Sequence, residues 1–463
     1  MEITSKLANY VVNTRYEDLP ERTREITKKD VLDTLASAVA GTMDSTCKNV
    51  ADLVKEWGGK PESTLLVYGG KVPSLNAALV NSVAAHILDF TDAHEVAATR
   101  AGVTIVPTAF AVAEATGVTS GSDFVAAVAV GLDVVCRMSL AATAGLGGSG
   151  FLISSITGVF GAAATTAKLI GLDEEQTLSA LGIAYSQAAG NMQAYDDKVF
   201  VTRLQTAFSA KAGILSAVLA QRGIAGTRNL FSGRYGLYQI YENGKCDLRK
   251  LTDGLGEHFE CDNLSFKPYP SMRSTHAAID AAREIVREHN VSTQDVDEIT
   301  VRLKKRFYEL LCVPLEERRA PKTRVAAQTS LPYLIAVAVA KKNVVIDDFS
   351  AEALQDRTVA EIASKVVPVI DSRLEEETIS QTGPTVVEIK VKGGRRYTKK
   401  VSFAKGSPEN PMTLEEVAGK FRDCSDYALT PIRKNHADRV IELSAEMENT
   451  DDISEIMRLL APR

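Results

Sequence analysis

A chain of 463 residues, 45% hydrophobic and 24% charged, is long enough to bury a large core and, at about 150 residues per unit, to form two or three units. Its 53 lysines and arginines against 59 acidic residues leave a net charge of -6. That balance offers no general attraction to nucleic acid or an anionic membrane, so any anion site must be a local cluster. Six scattered cysteines, with no CxxC pair and no dense spacing, point to reduced thiols used as small core residues rather than to a disulfide framework.

The first residues carry charge but no uninterrupted apolar segment behind them, so no secretory signal is expected. Lys29 to Ala40 puts Val31, Leu32, Leu35 and Val39 on one helical face and stops at Gly41. Leu75 to Phe90 reads as a second apolar helix, ending in an acidic segment. Pro107 is expected in the first turn of a third, which runs to about Thr116 before Gly117. The apolar stretch from Asp123 to Ala142 is interrupted by Asp133 and Arg137 and reads as a buried helix, not a membrane span. Asp173 with Gln176 predicts a capping box ahead of Leu178, Leu181 and Ile183. Gln205 to Gln221 is alanine-rich and ends near Gly223.

The pattern changes near Phe266. Ile299, Val301 and Leu303 alternate with polar residues, as do Val387, Ile389 and Val391. Gly393 and Gly394 then suit a hairpin turn into Tyr397 to Val401, and helices are predicted near 274–289 and 323–340. Helical pattern resumes after Pro411, where Thr413 and Glu416 make a second capping box. The expected fold is mainly α: a large helical domain (1–265 plus 405–463) with an inserted, smaller α+β lid domain (266–404). The usual place for a small-ligand site in such a chain is the cleft between domains.

Chemistry concentrates in two places. His86-Ile87-Leu88-Asp89-Phe90-Thr91-Asp92-Ala93-His94 sets two carboxylates and two imidazoles within nine residues at a helix end. Asp and His form a natural proton-transfer pair near neutral pH, and the bland alternative is that Asp89 and Asp92 cap helices. No HExxH spacing or third histidine supports a metal there. The second place is Phe266-Lys267-Pro268-Tyr269-Pro270-Ser271-Met272-Arg273-Ser274-Thr275-His276. Ser274 or Thr275 is expected to cap the next helix, with His276 in its first turn. Exposed backbone N–H groups there disfavour imidazolium and favour an anion. His258, His289 and His436 lie in polar settings and read as surface residues. Gly145 to Gly150 matches GxGxxG, but without a preceding strand or a βαβ unit the dinucleotide reading fails.

These runs together resemble the MmgE/PrpD family. Ala85-His86-Ile87-Leu88-Asp89-Phe90-Thr91-Asp92-Ala93-His94 is similar to its A-H-x-x-D-F-D-D-T-H, and Ile105-Val106-Pro107 to its V-x-P. Val201-Thr202-Arg203-Leu204-Gln205 is similar to V-K-R-L-H, Phe266 to Pro270 to F-K-x-Y-P, and Ser330-Leu331-Pro332-Tyr333 to F-S-L-P-Y. The likeness runs from about residue 5 to 430. It implies the two-domain fold, a cytoplasmic homodimer without a bound cofactor, and activities such as 2-methylcitrate dehydratase, cis-aconitate decarboxylase or iminodisuccinate epimerase. The chain departs from the pattern where the loop His is Arg100, the His after the Gly-rich loop falls near Leu152, and the Lys of V-K-R-L is Thr202. Thr91 and Ala93 replace an Asp and a Thr.

The resulting expectation is a lyase of the dehydratase type on a small hydroxylated di- or tricarboxylate. Asp89, His94 and His276 are the expected proton-transfer residues. Arg100, Thr202, Arg203, Lys267, Tyr269 and Arg273 are the expected substrate contacts. An isomerase working by proton abstraction beside a carboxylate, or a non-catalytic binding protein of the same fold, are the alternatives. No nucleic acid, membrane or metal is expected as a partner.

Overall fold

A computed structural model describes residues 2–143, 148–197, 199–377 and 382–462. The chain is mostly helical and divides into two compact units, Met1–Phe266 with Thr413–Arg463, and Lys267–Met412.

In the larger unit, helices Ser74–Ile87, Gly102–Thr116, Gly121–Ala141, Ile153–Leu169 and Val201–Gln221 pack on one another, and all but the last are buried along most of their length. Small residues permit this. A Cβ added at Gly161 would strike the Val135 side chain and the Gly131 carbonyl, so helices 121–141 and 153–169 approach as closely as backbone allows. Helix 121–141 is long and apolar enough to cross a membrane, but it lies buried within this unit. Its two interrupting charges pair with each other: Arg137 Nε donates to Asp133 at 2.7 Å, and Tyr10 donates to the same carboxylate at 2.9 Å.

The predicted Asp173–Gln176 box caps helix Glu174–Tyr185, and the Thr413–Glu416 box caps helix Leu414–Asp426. Gly117 ends its helix in the left-handed conformation, as expected. Pro107 is a correction. It lies inside helix Gly102–Thr116, not in its first turn. The carbonyl that Pro107 leaves without a helical donor belongs to Val103, and the Ser82 hydroxyl fills it at 2.6 Å. All six cysteines are free thiols, and five of them are buried.

The smaller unit holds a four-stranded sheet. Strand Val366–Ile370 is parallel to Val296–Leu303, which pairs antiparallel with Thr385–Val391, and that strand with Arg396–Val401. Ile299, Val301 and Leu303 face the core with Val387 and Ile389, beneath helices His276–Glu288 and Leu331–Lys341. The hairpin turns at Gly393 and Gly394, both at positive φ. Strand 366–370 has no counterpart in the sequence reading. Its Pro368 argues against a strand, yet it occupies an edge, where a missing N–H is tolerated.

Candidate active site

Helix 74–87 ends beside a turn in which Asp89 adopts φ 53°, a conformation non-glycine residues seldom take. Asp89 is buried, and two guanidiniums reach it: Arg100 lies 3.2 Å from one carboxylate oxygen and Arg203 3.5 Å from the other. Arg100 comes from the loop that follows, with its backbone N–H on the Ser154 hydroxyl at 3.3 Å. Arg203 comes from the first turn of helix 201–221.

Arg203 also touches His86. Its guanidinium lies 3.2 Å from Nε2, while Nδ1 is 2.9 Å from the Thr206 hydroxyl. A guanidinium only donates, so Nε2 accepts and the imidazole proton sits on Nδ1. His86 is therefore neutral and holds Arg203 rather than storing a proton. The sequence constellation contained His86, but its role depends on residues more than a hundred positions away.

The two aspartates of the motif divide their roles. Asp92 accepts the N–H groups of Ala101 and Gly102 at 2.9 and 3.2 Å and caps helix 102–116, as the bland reading had it, whereas Asp89 turns toward the arginines. Beneath them lies a buried group of Asp30, Asp33 and Lys420. Burial, with the charges of Asp92 and Asp33 beside it, pushes the Asp30 carboxyl well above its usual range.

The His94 side chain bonds other partners, while its backbone pairs with Thr99, the residue before Arg100. The His94 backbone also pairs with Leu264, its Nδ1 accepts the Ala97 N–H at 3.1 Å, and its Nε2 faces Glu260 at 3.9 Å. The imidazole holds the Glu260 carboxyl below the ordinary range, and Glu260 is in turn fixed by its backbone N–H on Asp133 at 2.6 Å. Thr202 bonds the Val199 carbonyl at 2.9 Å at the start of its own helix.

In the smaller unit, His276 opens helix 276–288 as predicted and is fully buried. Arg273 lies 3.2 Å from its Nδ1, and Nε2 is 3.3 Å from the Ser271 carbonyl. The same donor logic puts the proton on Nε2 of a neutral imidazole. Arg273 also donates to the Lys405 and Ala404 carbonyls at 2.7 and 3.3 Å. The Tyr269 ring meets His276 edge to face at 5.1 Å, and its hydroxyl donates to Asp280 at 2.6 Å while accepting from Arg283. Burial drives the Tyr269 phenol far above its ordinary range. Lys267 is buried. Thr275 occupies the N-cap position as expected, but its hydroxyl makes no cap bond and donates to Met272 O at 2.7 Å instead.

Among the described residues no group of three or more His, Cys, Asp or Glu is arranged to hold a metal ion. His258 and His289 are exposed and His436 half-buried. Of the GxGxxG run, residues 145–147 lie outside the described residues.

A helical unit whose buried aspartate is gripped by two arginines and a mixed unit with a helix-start histidine, both in one chain, are matched by one family. The MmgE/PrpD N-terminal domain model matches residues 5–248 and the MmgE/PrpD C-terminal domain model matches residues 269–447, so the chain belongs to the MmgE/PrpD family. Among individual proteins, it is 26% identical over 477 residues to the cis-aconitate decarboxylase-like protein oryM of Aspergillus oryzae, covering 99% of this chain and 97% of that protein. It is 26% identical over 467 residues to the cis-aconitate decarboxylase of Homo sapiens, covering 99% and 94%. With the cis-aconitate decarboxylase of Aspergillus terreus it shares 23% over 476 residues, covering 99% and 96%.

Proposed function

We propose that this chain is a cofactor-independent lyase of the dehydratase type, acting on a small hydroxylated di- or tricarboxylate. The observation that carries the reading is the buried Asp89 carboxylate between Arg100 and Arg203. A guanidinium grips a carboxylate through two parallel N–H bonds and exchanges no proton near neutral pH, so both arginines are binding groups. A substrate carboxylate competes with Asp89 for them and leaves Asp89 to accept a proton from the adjacent carbon. The C–H electron pair becomes the alkene, the C–O bond breaks, and the departing hydroxide takes a proton and leaves as water. Asp89, once protonated, is the proposed donor of that proton; His276 and Lys267 remain site candidates that rest on the family resemblance alone.

For the remaining expected site residues, the hydrogen bonds support bracing roles. Arg273 and Tyr269 brace His276, Thr202 braces its helix start, and His94 orders the loop against Glu260. Decarboxylation is the second reading, favoured by the names of the relatives that align over nearly the whole chain. Incubation with a panel of hydroxylated di- and tricarboxylates and cis-aconitate in deuterated water, followed by NMR, decides between them. Alkene formation from a hydroxy acid supports dehydration, and loss of carbon dioxide from cis-aconitate supports decarboxylation. Deuterium uptake without net change makes the chain an isomerase. Silence across the panel sinks the enzymatic reading in favour of a binding protein.

A further inference from the structure

We propose that Lys420, in the C-terminal helix 414–426, is a positioning residue that holds the Asp89 turn in its working conformation. The proposal rests on the reading of Asp89 as a site residue. Three observations converge on it. Asp89 occupies the left-handed region, which non-glycine residues populate sparsely even though Asp tolerates it better than most, so neighbouring contacts help to hold it there. The next carbonyl, that of Phe90, accepts a hydrogen bond from the Lys420 ammonium, 330 residues away in the chain. The same ammonium sits 3.8 Å from the centre of the Phe90 ring, so it grips both the backbone and the side chain of the residue after Asp89.

Lys420 is itself aimed. Asp33, on helix Glu21–Gly41, accepts from its Nζ at 2.7 Å, and both side chains are almost wholly buried, at 5% and 0% exposure. Helix 414–426 packs directly on helix 21–41, which fixes the root of both side chains. A buried ion pair is a weak source of net stability, since an apolar pair of similar volume often does as well. What the lysine supplies that an apolar residue does not is a directed donor at the carbonyl after Asp89. Asp92 ties the far end of the same loop to helix 102–116, so the segment from Asp89 to Arg100 is held at both ends, and Lys420 is the tie nearer the carboxylate.

The test uses the full chain with Lys420→Met combined with Asp33→Asn, which removes both buried charges together, alongside Lys420→Arg and Asp89→Asn. Hydrogen exchange is followed by mass spectrometry over peptides spanning residues 88–103. In the double variant, exchange in this segment is expected to rise about tenfold or more while the rest of the chain keeps its protection. On the substrate that the panel identifies, kcat is expected to fall by about 10–10²-fold with KM little changed, the scale of a misplaced catalytic group. Lys420→Arg is expected to recover part of both. Unchanged exchange in 88–103, or a rise spread evenly over the molecule, overturns the proposal whether or not turnover is measured. An Asp89→Asn protein with wild-type kcat sinks the reading of Asp89 and leaves the exchange result to stand. An inactive Asp89→Asn protein beside a double variant of wild-type kcat sinks the role of Lys420 alone.

Discussion

On the proposed reading, Asp89 handles the proton while Arg100 and Arg203 bind, a division that single substitutions can test. Asp89→Asn keeps the shape of the side chain but removes its charge and basicity, so turnover is expected to be lost. Arg100→Lys keeps the charge and loses the two-pronged grip, so it is expected to raise KM more than it lowers kcat. Steady-state kinetics of the two variants check this, and equal falls in kcat would place Arg100 in the chemistry instead. Asp30 supplies a pH effect with a definite sign. Its carboxyl titrates near 3.8 when exposed and well above that when folded, because burial and the neighbouring aspartates oppose its charge. Unfolding therefore releases a proton above about pH 4, and stability falls with rising pH by up to about 1.4 kcal/mol per unit until the folded group also ionises. Asp30→Asn removes this slope. Urea unfolding between pH 4 and 8 is expected to show the variant gaining on the wild type as pH rises, and parallel curves would discard the assignment.

Single elements were legible where the pattern was local. The capping boxes at Asp173 and Thr413, the stop at Gly117 and the alternation of Ile299, Val301 and Leu303 all report contacts within a few residues of themselves. Helix 102–116 was misplaced at its start because its true cap, Asp92, sits ten residues before Gly102 and because Pro107 mimics a first-turn proline. The Val103 carbonyl opposite that proline is satisfied from another helix, by Ser82. Ser82→Ala leaves it buried without that donor and is expected to destabilise the protein by about 1–3 kcal/mol. Denaturant unfolding reads this directly, and a change near zero would mean the carbonyl finds another partner.

For the whole molecule, the helix 201–221 that brings Arg203 to Asp89 also carries exposed apolar residues on its outer side. Val201, Phe208 and Leu215, seven residues apart, are 41%, 50% and 37% exposed. Seven residues are nearly two helical turns, so the three form one stripe. Homodimerisation, the expectation that the family resemblance carries, would cover it. Sedimentation of the wild type is expected to give a dimer, and Phe208→Asp to shift it toward monomer at micromolar concentration. A wild-type monomer, or a dimer indifferent to this charge, removes the stripe from any interface.

By itself, the sequence determined the helical character of the chain, the change to alternating strands after Phe266 and the clustering of titratable residues around Asp89 and His276, because periodicity, caps and motifs are written in neighbouring residues. It also carried the family, through motifs in a fixed order. Tertiary structure alone decided that Asp89 faces two arginines while Asp92 caps a helix, that His86 is a neutral brace for Arg203, and that Lys420 reaches the carbonyl of Phe90. Each of those contacts joins residues from separate elements or opposite ends of a loop, and only the packed core brings such groups within hydrogen-bonding distance.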